Sequence, residues 1–496
     1  MYFNIKNILA SNDFGNKDEY QNIYINLYSA IKKAIINKHL VEDFKLPPSR
    51  VLAKDLEVSR STVIKAYDLL VLEKYITAIQ GSGYYVASTK NKKIRYNLNT
   101  TINQGTYPNI SKRGLAFKKN IHIINKKMHQ GIAFRPGLPP LDIFPVQQWK
   151  NLSNEYWKTI TPSELSYSNT TGLRCLRENI SNYLKIYRNI NCSPDQIIIT
   201  TGSLHSLYLI GNILIDKNDE VVIENPTYPK AYNLFKSLNA KICSADIDNE
   251  GVSIDKIKCK NPKLIYTTPS NQYPSGIKMS LKRRLELLKW ASKKNTLIIE
   301  DDYDHEFSNW EKPIASTYSL DNQERVIYLG TFNKLLHPSI RIGYMIAPNY
   351  LLDTITAIYS QSSRFVSPSM QKTLSTFIEK DYLNKHLRNV IEVSVERKQL
   401  FFECFNQNLI PEISLNSNNT GLHIIATLKK EINDKKVAEY FYKKGIITHP
   451  LSDYFIKKKK ENGLVMGYCS VNNKLIKDNV NRMSKEYLDF LKLQKN

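Results

Sequence analysis

From Phe134 onward the chain alternates short apolar runs with longer amphipathic segments, and this alternation restricts the fold more than any other feature. Apolar runs lie at residues 196–200, 220–224, 264–267, 296–300, 326–329 and 344–347, and helical patterns such as 281–294 fill the gaps. Strands separated by helices predict a mostly parallel α/β sheet covered on both faces. In such sheets ligands bind beyond the carboxyl ends of the strands.

Residues with chemistry stand at those ends. Thr201-Gly202-Ser203 follows the first run, Asn225-Pro226-Thr227-Tyr228 the second, Asp301-Asp302-Tyr303 the fourth and Thr331 to Lys334 the fifth. Arg341 comes seven residues after Lys334. A buried lysine that loses its proton can attack an aldehyde. An arginine grips a phosphate with paired hydrogen bonds, and amides at a helix start add to the grip. Pyridoxal phosphate carries both an aldehyde and a phosphate. Taken singly these residues also read as ordinary structure: Asp301 as a helix cap, Tyr228 as core packing, Gly202 as a turn. Taken together they suit one ligand, because a carboxylate on the pyridine nitrogen makes that ring an electron sink and an aromatic side chain stacks on its face.

Charge is uneven along the chain. The formal net charge is +24, and residues 1–130 hold 21 Lys+Arg against 9 Asp+Glu. The positive density there is about three times that of the remainder, which suits a polyanionic partner. No apolar stretch reaches the ~18 residues that a membrane helix needs, and the first residues lack a secretory pattern. Six cysteines are scattered without a CxxC pair, so free thiols in a reducing cytoplasm are expected, with neither a zinc site nor a disulfide framework.

The basic front has its own pattern. Ile25, Tyr28, Ile31, Ile35 and Ile36 form a helical stripe, and Pro47-Pro48 precedes a second helix. Ser59 is placed to cap a third helix, residues 60–73, that buries Val63, Ala66, Tyr67 and Leu70. Two strand-like runs, 75–79 and 84–86, flank Gln80-Gly81-Ser82-Gly83, a hairpin pattern. Three helices and a hairpin describe a winged helix-turn-helix, whose second motif helix enters the DNA major groove. Arg60 then suits guanine, while Arg50 and Lys65 suit phosphates. Residues 88–130 hold ten Lys+Arg and no acid and read as a flexible basic tether.

The stretch LPPSRVLAKDLEVSRSTVIKAYDLLVLEKYITAIQGSGYYVA resembles the DNA-binding domain of the GntR family. That resemblance implies that Arg50, Ser59, Arg60, Ser61, Thr62, Lys65 and Gly81 lie at the DNA. FRPGLPPLDIFPVQQW, VVIENPTYPKAY, YTTPSNQYPSG, IIEDDYDHEF and LGTFNKLLHPSIRIGYMIAP are similar to fold-type I aminotransferases, and most of all to the MocR subfamily, in which a GntR head is fused to such a body. The resemblance implies Lys334 as the Schiff-base lysine of pyridoxal 5'-phosphate, with Asp301 on the pyridine nitrogen and Tyr303 on the ring oxygen. Tyr228 becomes the stacking ring, Thr331 and Arg341 phosphate ligands, and Ser203 and Leu204 donors of phosphate-facing amides. Tyr273 stands before Pro274, where aminotransferases usually carry asparagine.

Implied domains are a winged helix-turn-helix at 20–87, the linker at 88–130 and a body at 131–496 with a small α+β subdomain from about 375. A cytoplasmic, head-to-tail homodimer bound to an operator is implied, with no metal, together with an effector that is pyridoxal phosphate or its amino-acid or amine adduct. The alternative is an active aminotransferase with an appended DNA-binding head. Against turnover, Val465 stands where aminotransferases carry the arginine for the substrate carboxylate, so at most partial transamination is expected. Arg364 and the run 457–460 are the candidates to take its place, although a four-lysine run usually reads as a solvated loop. Leu204-His205, Asn271 and Ser339 also depart from common family residues.

Overall fold

The computed structural model describes residues 5–11, 23–88, 109–120, 134–307, 314–408, 413–416, 421–457 and 461–495. They fall into two compact units, Met1–Asn109 and Ile110–Asn496.

In the first unit, α1 (Ile5–Ala10), α2 (Ile23–Ile36), α3 (Ser49–Asp55) and α4 (Arg60–Leu72) precede a hairpin of β1 (Ile76–Ile79) and β2 (Gly83–Val86). Pro48 is the N-cap of α3, where its missing N–H costs nothing. Ser59 caps α4 by accepting from the Thr62 amide at 3.1 Å. Val63, Ala66, Tyr67 and Leu70 are buried, as the stripe requires, and pack with Leu27, Ile31 and Leu52 in one core. Helix α1 was not foreseen. Its Ile5 and Leu9 join that core.

The second unit begins inside the stretch read as a tether. Lys112–Lys118 forms α5, capped by Ser111, and Asn120 donates to Ser237 Oγ at 2.8 Å. Residues 110–120 thus hold a helix inside the stretch expected as a tether; its large apolar side chains, Ile110, Leu115 and Phe117, are exposed rather than forming a core. The rest of that stretch, apart from residues 88 and 109, lies outside the described residues.

Eight strands make the main sheet: β3 (Ile197–Thr200), β4 (Glu220–Asn225), β5 (Lys241–Asp248), β6 (Gly251–Val252), β7 (Pro262–Thr267), β8 (Leu297–Asp301), β9 (Val326–Thr331) and β10 (Gly343–Ile346). Their order is β3-β10-β9-β8-β7-β4-β5-β6. Strands β5, β4, β7, β8 and β9 run parallel, whereas β10 is antiparallel to β9 and β3. Two strands, β5 and β6, were missed by the pattern. Helices α6 (Val146–Thr159), α7 (Arg174–Arg188), α8 (Ser203–Leu214), α9 (Pro229–Ser237), α10 (Leu281–Lys294), α11 (Thr317–Leu320), α12 (Leu352–Ser362) and α13 (Pro368–Glu379) accompany the sheet. Ile197, Ile199 and Tyr328 pack with Leu176, Ile180 and Phe377. Ile198, Ile327 and Leu329 pack with Leu207, Phe235 and Ile355 on the other face. Successive strand residues are therefore buried on opposite faces, which is why the strands read as continuous apolar runs.

A smaller antiparallel sheet, β11 (Ile413–Leu415), β12 (His423–Leu428), β14 (Asn462–Gly467) and β13 (His449–Pro450), packs with α14 (Tyr382–Gln407), α15 (Asp434–Lys443) and α16 (Asn473–Lys495). The changeover between cores occurs along α14: Leu383 and Leu387 belong to the main core, Phe401 and Phe405 to the small one. Phe134 also lies in the small core, 5.5 Å from Phe401.

The free-thiol reading is corrected at two positions. Cys243 on β5 is bonded to Cys259, with Cα atoms 6.3 Å apart. Chain return after β6 brings together residues that the sequence separates by 16. Cys175, Cys192, Cys404 and Cys469 are free. Among the described residues, no helix is long and apolar enough to cross a membrane.

Candidate functional site

The ends of β3, β4, β7, β8 and β9 and the start of β10 face one region, since Gly343 pairs with both Thr200 and Thr331. Gly202, at φ 122°, takes the chain from β3 into α8 in a conformation that favours glycine. A side chain there would meet Asn333 Nδ2 at 3.2 Å and the Arg341 guanidinium at 3.9 Å. Arg341 therefore stands at the start of α8, where the amides of Ser203 and Leu204 lie in the first turn without intrahelical partners. Thr331 ends β9, and its hydroxyl accepts from the Asn333 amide at 3.2 Å. His205, one of the departures from the family pattern, accepts from the Thr201 amide at 3.3 Å through Nδ1 and so holds this turn.

The Lys334 amine donates to the Gly137 carbonyl at 2.5 Å. Burial lowers its pKa, and the carboxyls of Asp304 and Asp301 oppose that shift. Asp301 ends β8 rather than following it. Tyr266 donates to its Oδ2 at 2.8 Å, while Oδ1 is buried without a hydrogen-bond partner. Burial lifts this carboxyl to about 7. An unsatisfied buried acceptor is costly, and a protonated ring nitrogen would satisfy it. A first-turn anion site beside an arginine, an amine whose proton is loosened and an orphaned carboxylate oxygen together fit pyridoxal phosphate.

Tyr228 caps α9 and touches Tyr273, with ring centres 5.9 Å apart. Tyr303 lies 5.7 Å from Tyr273 and donates to the Asn271 carbonyl at 3.0 Å, so its hydroxyl is left as an acceptor. Val465 is buried beside Tyr273 and Tyr454. Of its substitutes, Arg364 is exposed and stacks over Tyr167 at 4.6 Å, and residues 458–460 lie outside the described residues. Sequence reasoning missed Lys230, which acts electrostatically on both Arg341 and Lys334. It also missed Arg188, whose buried ion pair with Asp302 at 2.7 Å anchors the residue after Asp301. The position of Lys230 two residues past Tyr228 was a signal; the pairing of Arg188 left none.

In the first unit, Arg50, Ser59, Arg60, Ser61 and Lys65 are exposed and Thr62 is half-buried. The hydroxyls of Ser61 and Thr62 lie 2.8 and 2.7 Å from Ser59 Oγ, and Arg60 Nε donates to Ser49 Oγ at 3.4 Å. Lys65 sits over the Tyr24 ring at 5.6 Å. Gly81 occupies the hairpin turn at φ 77°. The first turn of α4 thus carries donors outward while its other face is core.

Two families match. Aminotransferase class I and II covers residues 134–459, and bacterial regulatory proteins of the gntR family cover 23–86. The chain is 30% identical over 462 residues to the probable rhizopine catabolism regulatory protein MocR of Rhizobium meliloti, with 93% of each chain covered. The chain belongs to the MocR subfamily of GntR regulators. Another MocR-type relative is the pyridoxine biosynthesis transcriptional regulator PdxR of Corynebacterium glutamicum, 26% identical over 92% of this chain and 94% of that one. Among solved structures, the multiple substrate aminotransferase of Thermococcus profundus matches with a TM-score of 0.67 and 25% identity, covering 77% of this chain and 98% of that one. The Pyrococcus horikoshii kynurenine aminotransferase, solved with PMP, matches with a TM-score of 0.67 and 26% identity over 78% and 97%. The body of this MocR-type chain therefore has the fold-type I aminotransferase architecture, in a family that depends on pyridoxal phosphate.

Proposed function

We propose that this regulator holds pyridoxal 5'-phosphate at Lys334 and that occupancy of the pocket alters how its winged helix engages double-stranded DNA. The observation that carries the reading is the orphaned Oδ1 of Asp301 in the same pocket as an amine whose proton burial loosens. Bound there, pyridoxal phosphate supplies an aldehyde and an electron-withdrawing ring. Lys334 offers an amine whose pKa burial lowers, which would capture the aldehyde. Asp301 holds the ring nitrogen's proton. Arg341, Thr331 and the amides of Ser203 and Leu204 bind the phosphate, and Tyr228 and Tyr273 bound the ring. Tyr303 lies within the same aromatic group as Tyr273.

Arg60, Ser61 and Thr62 read bases from the start of α4, while Arg50, Ser59, Lys65 and the Gly81 turn lie along the backbone. A homodimer with each head serving its partner's body would present two heads to a two-fold operator. Ligand control then requires the pocket to bind more tightly in one arrangement of the heads than in the other.

Visible absorbance of the purified chain with added cofactor tests the pocket: a band that Lys334→Ala abolishes is expected, and a colourless wild type would sink the reading. Steady multiple turnover of an amino acid with a keto acid would mark a working aminotransferase instead.

A further inference from the structure

Beyond the groups assigned to the cofactor, the pocket of the larger unit holds acceptors that nothing satisfies. Asp304 is 1% exposed; its Oδ2 accepts from Asn271 Nδ2 at 2.7 Å, and its Oδ1 is buried without a hydrogen-bond partner. His423, at the start of β12, is also 1% exposed. Its Nε2 lies 2.8 Å from the Pro274 carbonyl and so carries the proton, which leaves Nδ1 as a second buried acceptor with no partner. These two acceptors come from opposite subdomains, and Gly421 presses the small one against Asp304 and Asn271.

Both groups adjoin the aromatic cluster of Tyr273 and Tyr303: His423 lies 5.0 Å from Tyr273, and Asp304 follows Tyr303 in the chain. Asp304 acts on the Lys334 amine more strongly than Asp301 does, and Lys334 acts in turn on His423. Between them stands Tyr273, in edge-to-face contact with Tyr228, Tyr303, His423 and Tyr454 at 5.0 to 5.9 Å between ring centres. None of these contacts is stacked. Tyrosine faces attract cations, and an unpaired carboxylate oxygen accepts from an ammonium. Val465 packs with Tyr273 and Tyr454 and offers no charge for an anion.

We infer that the effector pocket selects a cationic amine: the Asp304 carboxylate and the Tyr273 aromatic group receive a second ammonium on the ligand rather than a carboxylate. This rests on the proposed reading in placing the ligand's first amine at Lys334. Burial holds the Asp304 carboxyl well above the usual range, and an ammonium beside it would favour the carboxylate form, with the proton passing to solvent. Two cations could favour an acid instead. Lys230 acts on both Arg341 and Lys334, and Lys230→Met, like Lys398→Met, should leave the diamine preference in place. Lys398 acts on His423 from the small subdomain and is the rival to be tested.

Calorimetric titration of the full chain with pentane-1,5-diamine and with 5-aminopentanoate, in the presence of pyridoxal phosphate, decides between them. The diamine should bind at least about tenfold more tightly, and Asp304→Asn should erase that preference while Lys398→Met keeps it. Thermal melting of the near-isosteric Asp304→Asn protein shows that it is folded. Equal or tighter binding of 5-aminopentanoate, or a preference that survives Asp304→Asn, would overturn the inference. The visible band reports separately on the cofactor: diamine selectivity without a band would sink the cofactor reading alone, and a band without selectivity would sink the amine reading alone.

Discussion

Asp301 carries a carboxyl that burial lifts to about 7 in the folded chain, against about 3.9 when unfolded. Between those values the unfolded chain has lost its proton and the folded one has kept it. Stability contributed at Asp301 is therefore lost as pH rises from about 4 through about 7. Replacing it by asparagine removes that loss. Thermal melts of the cofactor-free protein should show Asp301→Asn gaining on the wild type as pH rises across this window and level with it below about pH 4. A constant difference at every pH would refute the assignment. Lys334 and Asp301 were legible as candidates because each follows or ends an apolar run, and strand ends are where a parallel sheet places ligands; Arg341 was legible from its place seven residues after Lys334. Asp304 and His423 were not. One lies in a run of acids that has no period, and the other meets Pro274 across 149 residues of chain.

At the scale of elements, α4 was read almost to its ends because its cap, stripe and outward face are all local. Ser59→Ala removes the acceptor for the Thr62 amide and should cost the smaller unit about 1 kcal/mol, measured by denaturant melting. Arg60→Ala leaves the core untouched and should weaken specific DNA binding by ~1–3 kcal/mol and relax one base position, visible in footprints at fixed salt. An unchanged footprint would remove Arg60 from the interface. Strand β5 escaped notice because it pairs with β4 along its length but is otherwise flanked only by the two-residue β6. Its lysine, serine and aspartates spoil the apolar run, and only Ala245 is fully buried. Helix α5 escaped for a similar reason: none of its residues is buried, and a hydrogen-bonded surface helix leaves no stripe.

Across the whole molecule, the winged-helix core draws on residues between Ile5 and Val86 alone, and the cores of the body on residues from Phe134 onward. Two units with separate cores should unfold in two steps. Scanning calorimetry with added pyridoxal phosphate should raise the transition of the larger unit, because ligands stabilise the state that binds them, and leave that of the smaller one in place where no DNA is present. One merged transition that shifts as a whole would show the units to be energetically coupled.

Caps, stripes and the strand–helix rhythm depend on neighbours within a few residues, so the two-part plan, helix α4 and the strand ends beside Asp301 and Lys334 were readable along the chain alone. Folding alone settles which distant groups meet: Lys334 with Gly137 across 197 residues, Asp302 with Arg188, Cys243 with Cys259. The physical reason is that a pattern repeats along the chain, whereas a buried charge or an unsatisfied oxygen exists only once the layers have closed around it.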